Sequence, residues 1–228
     1  MRTKRSTYIR AAALSALILA ATPALADYRK TGPADEKDHS TLSEAKVYFT
    51  GEVTAQKAAA LFRALDDANI SYPKLKHIYL YIDSYGGDMD SGYAAYWAIK
   101  SSRTPVTTVN LATVMSSATM MFCGGKERAS MKGGRFILHP AAAGIELKWA
   151  QPDQLAALQK NVSEFNRMFA DTYRECTNMN ETEISHTLYS ENQREFLLPH
   201  DAISKKMISV IADKIVDTPV SYSITDSS

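Results

Sequence analysis

The stretch HIYLYIDSYGGDMDSGYAAYWAIKSS, residues 77–102, carries the signal that decides the fold. Residues 77–83 form a near-continuous apolar run, which is typical of a strand buried inside a sheet. The run stops at SYGG (84–87), and residues 89–102 then show the helical spacing of apolar side chains. The stretch therefore predicts a strand, a glycine turn and a helix in direct succession.

The same alternation continues on both sides of this stretch. Thr54 is a suitable N-cap for the first helical pattern. Strand patterns occur at residues 47–53, 105–112, 134–139 and 195–198, and helical patterns at residues 54–70, 151–176 and 201–208. Strands that alternate with helices and are apolar on both faces predict an α/β fold with a parallel sheet covered by helices.

The first 26 residues have the pattern of a secretory signal peptide. A basic, acid-free start precedes the apolar run AAALSALILAA, and ALA (24–26) is a small-x-small cleavage site. The apolar run is shorter than the ~20 residues that a membrane span needs, which argues against an anchor. We expect cleavage after Ala26 and a periplasmic or secreted mature chain without a membrane span.

The charge balance argues against two classes of partner. The chain has 26 Lys and Arg against 25 Asp and Glu residues, and its first 26 residues contain four bases and no acid. The mature chain therefore has 22 basic against 25 acidic side chains, a net charge of −3. Nucleic-acid binding normally requires a clustered basic face, and attachment to an anionic membrane requires a basic patch, so we expect neither partner.

The sequence divides into four parts. Residues 1–26 are the signal peptide, and residues 27–46 are polar and charged and are predicted to be a flexible leader. Residues 47–216 hold the strand and helix patterns of one domain with a substantial core. Residues 217–228 are predicted to be a C-terminal tail.

Two cysteines, Cys123 and Cys176, enter an oxidising compartment. The sequence leaves open whether they pair, because pairing depends on whether their Cβ atoms meet. Cys123 lies in an apolar stretch, which favours a small core residue. Two cysteines argue against a disulfide scaffold or a zinc ribbon, and we expect no metal and no cofactor.

Three strand ends carry the residues that point to chemistry, since the ligand site of a parallel sheet lies beyond the carboxyl ends of its strands. These ends carry Gly86 and Gly87, Ser116 and Ser117, and His139. A serine nucleophile needs a base beside its hydroxyl and donors aimed at the oxyanion. Paired glycines and a helix N-terminus expose such N–H groups. A serine pair that only caps a helix is the alternative interpretation, and the histidine at the same edge favours catalysis.

The order of these segments resembles a known family. The chain is similar to the proteolytic subunit of the Clp protease, within the Clp/crotonase superfamily, in the segments YFTGEV, HIYLYIDSYGGDMDSGYAAYWAI, PVTTVNLATVMSSATMM, GRFILHPAAAG and EFLLPHDAI. The likeness runs over about residues 47–213. It implies a parallel sheet of repeated β-β-α and βα units, a long handle-like helix at 151–176, assembly into homo-oligomeric rings, and a peptide or unfolded polypeptide as substrate.

The resemblance also implies roles for individual residues. Ser116 falls on the nucleophile and His139 on the general base, while Gly87 and the N–H of Ser117 fall on the oxyanion hole. The spacing of 29 residues between Gly87 and Ser116 agrees with the family without a gap, whereas choosing Ser117 as nucleophile would need one. Gly86 and Asp88 are expected to bind substrate, because SYGGDMDSG could pair with an extended peptide.

The third member of the triad is where the sequence departs most from the family pattern. The family's aspartate falls on Arg194, and arginine only donates hydrogen bonds, so it cannot hold an imidazole N–H. Glu195 is adjacent but points to the other face of a regular strand unless a bulge turns it. Asn192 keeps the face and is our candidate for the third member, and a Ser-His dyad without one is the other option.

Smaller departures surround the same site. Tyr85 replaces a proline of the family, and Ala112 and Ala118 replace glycines near the nucleophile. Lys206 replaces a later glycine. The two alanines restrict the backbone conformations available near the expected oxyanion hole.

The leading hypothesis is an exported, Clp-like serine peptidase that uses a Ser-His dyad or a modified triad. It would hydrolyse peptide bonds without a partner ATPase, because a periplasm has no ATP pool. The alternative is a catalytically degenerate protein that binds peptides or serves as a scaffold, which Arg194 and the lost glycines favour. Thioester chemistry on acyl-CoA is disfavoured by export, and a Ser-Lys mechanism lacks a lysine placed as well as His139.

Overall fold

The computed structural model describes residues 27–33, 41–144 and 149–226. The predicted signal peptide therefore lies outside the described residues. Within the described part the strands are β1 Asp27–Thr31, β2 Glu44–Thr50, β3 His77–Ser84, β4 Val106–Met115, β5 Glu127–Met131, β6 Arg135–Leu138, β7 Glu195–Leu197, β8 Val210–Ala212 and β9 Val220–Thr225. The helices are α1 Ala55–Ser71, α2 Met89–Lys100, α3 Ser117–Cys123, α4 Pro152–Cys176, α5 Glu181–Thr187 and α6 Pro199–Ser204.

The strands form one sheet in the order β1-β9-β2-β3-β4-β5-β8. All neighbours along this path are parallel except β1 and β9, which confirms the predicted α/β class. Strand β4 is shared between two neighbours: its first half pairs with β5, and its last three residues, Thr113–Met115, pair in parallel with β6. Antiparallel β7 then pairs with β6. This branch brings the ends of β4 and β6 side by side.

The main core lies between one face of the sheet and the helices. Alternate residues of β3, namely Ile78, Leu80 and Ile82, are fully buried in it. Tyr81 points to the opposite face, where it forms a smaller cluster with two buried residues of neighbouring strands, Val109 and Ala129. The apolar run of β3 thus reflects a strand that packs on both faces, although the helices pack against the main core.

The two segments predicted to lie outside the domain contribute strands to the sheet. The leader supplies β1 and the start of β2, and the C-terminal tail supplies β9, which is inserted between β1 and β2. Residues 217–228 were predicted to be a tail, yet Val220, Tyr222 and Ile224 alternate as buried residues with the period of two of a half-buried strand. Residues 34–40 of the leader lie outside the described residues.

The apolar side chains at helical spacing along α4 form a stripe that the monomer buries over only half of its length. Phe169 and Tyr173 in the C-terminal half of α4 are buried in the main core. Val162 and Phe165 are half-buried, and Leu155 near the N-terminus is 48% exposed. Burial in the monomer's own core therefore explains the apolar side chains in the C-terminal half of the stripe, but not those in its N-terminal half.

None of the helices in the described residues is long and apolar enough to cross a membrane.

Lys206 occupies a position that normally takes glycine. Helix α6 ends in a Schellman motif, in which the N–H of Met207 bonds to the carbonyl of Ala202 and the N–H of Lys206 to that of Ile203, at 2.8 and 2.9 Å. Lys206 therefore adopts a left-handed φ of 57°, which is unfavourable for a residue with a Cβ.

We predict that Lys206→Gly raises the free energy of unfolding by about 0.5–1 kcal/mol, because the relief of left-handed strain exceeds the entropy that glycine adds to the unfolded chain. Denaturant unfolding of the two proteins measures the change. Lys206→Ala is the matched control: it removes the charge but keeps the Cβ, and should give no such gain. Equal stability of the glycine variant and the parent would contradict the assignment of strain.

Candidate active site

Ser116 lies at a sharp junction between a strand and a helix. Strand β4 ends at Met115 and α3 begins at Ser117, so Ser116 alone turns the chain, with φ 55° and ψ −134°. Among the described non-glycine residues only Ser116 and Lys206 have positive φ. Such backbone strain costs on the order of 1–3 kcal/mol and is concentrated at functional sites. A strained turn from strand to helix is also how hydrolases expose a nucleophilic serine hydroxyl.

The neighbouring Ser117 points into the protein. It is fully buried, and a Cβ placed on Gly92 of α2 would lie 2.8 Å from the Cβ of Ser117. Its hydroxyl has no hydrogen-bond partner among the described residues. Ser116, by contrast, is half-buried. Of the two adjacent serines, Ser116 is therefore the one that a substrate could reach.

The glycine turn after β3 packs directly against this junction. Gly86 has a φ of 93°, and a Cβ at this position would lie 2.5 Å from the Cβ of Ser116 and 3.0 Å from the nitrogen of Ser117. No side chain fits in that space, and the positive φ also favours glycine. Both the conformation and the close approach therefore require glycine at position 86.

Two backbone N–H groups beside Ser116 are left unused. The turn is fixed by a bridge to Val53, whose N–H donates to the carbonyl of Gly86 and whose carbonyl accepts from Asp88, both at 2.8 Å. The N–H of Gly87 donates to neither end of this bridge. That N–H and the N–H of Ser117, in the first turn of α3, donate to no acceptor among the described residues. These are the two donors that the sequence predicted for an oxyanion hole.

The two residues predicted to bind substrate, Gly86 and Asp88, also make hydrogen bonds within the protein. The carboxylate of Asp88 caps α2 by accepting from the N–H and the hydroxyl of Ser91. The N–H of Gly86 donates to the hydroxyl of Ser84 at 3.1 Å, and its carbonyl is taken by Val53. These bonds shape the turn, and the binding of substrate by Gly86 and Asp88 stays a prediction.

His139 lies at the end of the strand next to Ser116. Strand β6 pairs with the end of β4 with Ile137 opposite Met115, and the N–H of Ser116 donates to the carbonyl of Ile137 at 3.4 Å. The His139 side chain is 11% exposed. Its Nε2 has no hydrogen-bond partner among the described residues, so the bond to the Ser116 hydroxyl is not formed in this conformation. Catalytic hydrogen bonds often tighten only when substrate binds.

The residue beside the other ring nitrogen of His139 is Glu191. Its Oε2 lies 3.2 Å from His139 Nδ1, although the N–H is not aligned with it as in a hydrogen bond. Asn192, the predicted third member, is exposed, and none of the hydrogen bonds of the described residues joins it to His139. The prediction assumed a regular strand with alternating faces, but Glu191–Gln193 form a 3-10 turn, so that alternation does not apply.

Helix α3 is attached to α4 at both of its ends. At its start, the Thr119 hydroxyl donates to the carbonyl of Ser116 at 2.6 Å and lies 2.8 Å from the hydroxyl of Tyr173 on α4. Burial raises the pKa of Tyr173, which keeps that hydroxyl protonated. At its end, Cys123 forms a disulfide with Cys176, which answers the question that the sequence left open. The nucleophile's helix therefore cannot shift without α4.

No group of three His, Cys, Asp or Glu side chains that could hold a metal ion occurs in the described ranges. What these residues offer is a serine on a strained turn, a histidine at the adjoining strand end and two free backbone donors. On an α/β sheet this combination is typical of hydrolases of the serine type.

The family follows from comparison with known proteins. The family model described as Clp protease matches residues 34–215, and the chain belongs to this family. One relative, the ATP-dependent Clp protease proteolytic subunit 2 of Treponema pallidum, is 26% identical over 186 residues, which cover 78% of this chain and 87% of the relative. The ATP-dependent Clp protease proteolytic subunit of Deinococcus radiodurans is 22% identical over 86% of this chain and 95% of its own length.

A solved structure supports the fold. A ClpP1 mutant from Listeria monocytogenes aligns with a TM-score of 0.58 over 74% of this chain and 91% of its own, at 19% sequence identity. This alignment confirms the predicted fold class, and the family model confirms the resemblance to the Clp protease family.

Proposed function

We propose that this chain is an exported serine peptidase that hydrolyses peptide bonds of unfolded polypeptides without a partner ATPase. The observation that carries the proposal is the backbone of Ser116. A serine held at φ 55° between a strand and a helix, beside two unused N–H groups, has the arrangement that acyl transfer needs. Membership of the Clp protease family supports a peptidase.

The chemical steps follow from the positions of these groups. The Ser116 hydroxyl attacks the peptide carbonyl, and His139 takes its proton and gives it to the leaving amine. The N–H groups of Gly87 and Ser117 stabilise the oxyanion that forms in the tetrahedral intermediate. A water molecule, deprotonated by His139, then hydrolyses the acyl-enzyme and restores the Ser116 hydroxyl.

Export supports the absence of an ATPase. The N-terminal sequence pattern favours secretion with cleavage after Ala26, into a compartment that lacks ATP. Without an unfoldase, the substrates would be short peptides or chains that are already unfolded. Folded proteins would be poor substrates, because their peptide bonds cannot reach Ser116.

A homo-oligomer is supported by the half of α4 that the monomer leaves uncovered. Leu155 is 48% exposed, and Val162 and Phe165 are only half-buried. These side chains continue the stripe whose other end is in the core. Sedimentation of the mature protein tests the assembly: a multimer is expected, and a monomer at micromolar concentration would contradict it.

The test of function uses the mature chain, residues 27–228, with an unfolded, alkylated polypeptide in nucleotide-free buffer. We expect Ser116-dependent cleavage, seen as new peptides by mass spectrometry, and no stimulation by ATP. Cleavage that requires ATP and an added unfoldase would overturn the proposal of independence. Cleavage that persists in Ser116→Ala would indicate a contaminant.

The second candidate function is a scaffold that binds peptides without turnover. It is favoured by the missing hydrogen bond between His139 Nε2 and Ser116. It predicts peptide binding by the parent and by Ser116→Ala with equal affinity, and no product from either.

A further inference from the structure

We propose that Glu191 is the positioning residue for His139, and that Arg194 holds the Glu191 carboxylate in place. The third member of the site would then be a carboxylate from the turn before β7, in place of the aspartate expected at position 194. The inference rests on the proposed peptidase function, since it assigns the group that orients the general base.

The topology explains why this turn reaches the histidine. Strands β6 and β7 are antiparallel, with Leu138 opposite Glu195. The residues before Glu195 therefore extend past the end of β6, where His139 lies. Because a 3-10 turn has three residues per turn, Glu191 and Arg194 lie on the same side of it.

The two oxygens of the Glu191 carboxylate contact different residues. Arg194 Nη1 donates to Oε1 at 2.7 Å, and Oε2 lies 3.2 Å from His139 Nδ1. Among the described residues no other acid lies within ion-pair distance of His139. The histidine side chain is 11% exposed, so its surroundings hold the imidazole, whereas the Glu191 side chain is 55% exposed and depends on Arg194 to keep its carboxylate beside Nδ1.

The contact gives Glu191 a defined chemical task. A carboxylate beside Nδ1 keeps the proton on that nitrogen, so that Nε2 presents a lone pair to the Ser116 hydroxyl, and it stabilises the imidazolium that forms during attack. Arg194 cannot accept the imidazole proton, but it fixes the group that can. The arginine that interrupts the family pattern thus supports a different carboxylate. Glu195, in β7, makes no contact with His139 among the ion pairs and hydrogen bonds of the described residues.

The kinetic test compares Glu191→Gln with Glu181→Gln, which removes another exposed carboxylate that pairs with an arginine, Arg174. Loss of the charge is expected to lower kcat roughly 10- to 100-fold with KM changed less than about twofold, because Glu191 acts through His139 and does not touch substrate. Glu181→Gln should behave as the parent. Arg194→Gln should lower kcat less than Glu191→Gln does. An unchanged kcat for Glu191→Gln would overturn the assignment.

A second measurement does not need turnover. ¹⁵N-histidine NMR of the parent should show His139 with its neutral proton on Nδ1, and Glu191→Gln should shift it towards the Nε2–H tautomer. The missing resonance in His139→Ala assigns the signal. The same tautomer in the parent and in Glu191→Gln would overturn the inference. A shift in tautomer together with a parent that cleaves nothing would uphold the positioning and contradict the peptidase.

Discussion

Replacement of Ser116 by alanine is expected to lower kcat on a peptide substrate by at least about 10³-fold, whereas Ser117→Ala should stay within about threefold of the parent. The difference arises because the strained backbone turns the Ser116 side chain out of the core, while Ser117 is fully buried against α2. Ser117→Ala leaves the backbone N–H of residue 117 in place, so the expected oxyanion hole survives. Steady-state kinetics of the three proteins measures both effects.

The two variants also differ in their expected stability. Ser116→Ala keeps a Cβ in the left-handed region and should unfold close to the parent. Ser117→Ala removes a buried hydroxyl that has no partner among the described residues, so it should not lower the free energy of unfolding. A loss of activity in Ser117→Ala equal to that in Ser116→Ala would contradict the assignment of the nucleophile.

Removal of the disulfide is the second large effect that we expect. The double variant Cys123→Ala, Cys176→Ala should lose about 4 kcal/mol of unfolding free energy, because the bond closes a loop of 53 residues in the unfolded chain. Alanine is the suitable replacement, since both positions are buried and a serine would bury a hydroxyl. Denaturant unfolding measures the loss.

The same variant should lose activity, because the bond ties the last residue of α3 to α4. Of the two attachments of α3 to α4, only the one at its start, through Thr119 and Tyr173, would remain. We expect a several-fold lower kcat, reproduced in the parent by a reductant that has no effect on the double variant. A reduced parent with full stability would contradict a structural role for the bond.

The sequence was sufficient for the parts of the fold that local patterns determine. The run at 77–83 became β3, and Thr54 caps α1 by accepting from the N–H of Lys57. The sequence did not predict strands β5 and β8, because each is short and its place in the sheet depends on the adjacent strands more than on its own residue pattern. The tail strand β9 was not predicted either, although its alternation of buried residues was present in the sequence.

The site shows the same division between local and long-range information. The positions of Gly87, Ser116 and His139 at the ends of predicted strands were enough to predict that they lie at one sheet edge, because parallel strands align their carboxyl ends. The contact of Glu191 with His139 depends on a 3-10 turn, and no pattern of alternation indicates one. The spacing of Glu191 and Arg194, with opposite charges three residues apart, was the one available signal.

The most direct test of the central claim is the reaction of the mature protein with a fluorophosphonate, with the modified residue mapped by mass spectrometry. We predict a single adduct on Ser116, absent in Ser116→Ala and strongly slowed in His139→Ala, while Ser117→Ala labels as the parent does. A folded, assembled parent that gives no adduct, or an adduct on another residue, would contradict the claim that Ser116 is an activated nucleophile.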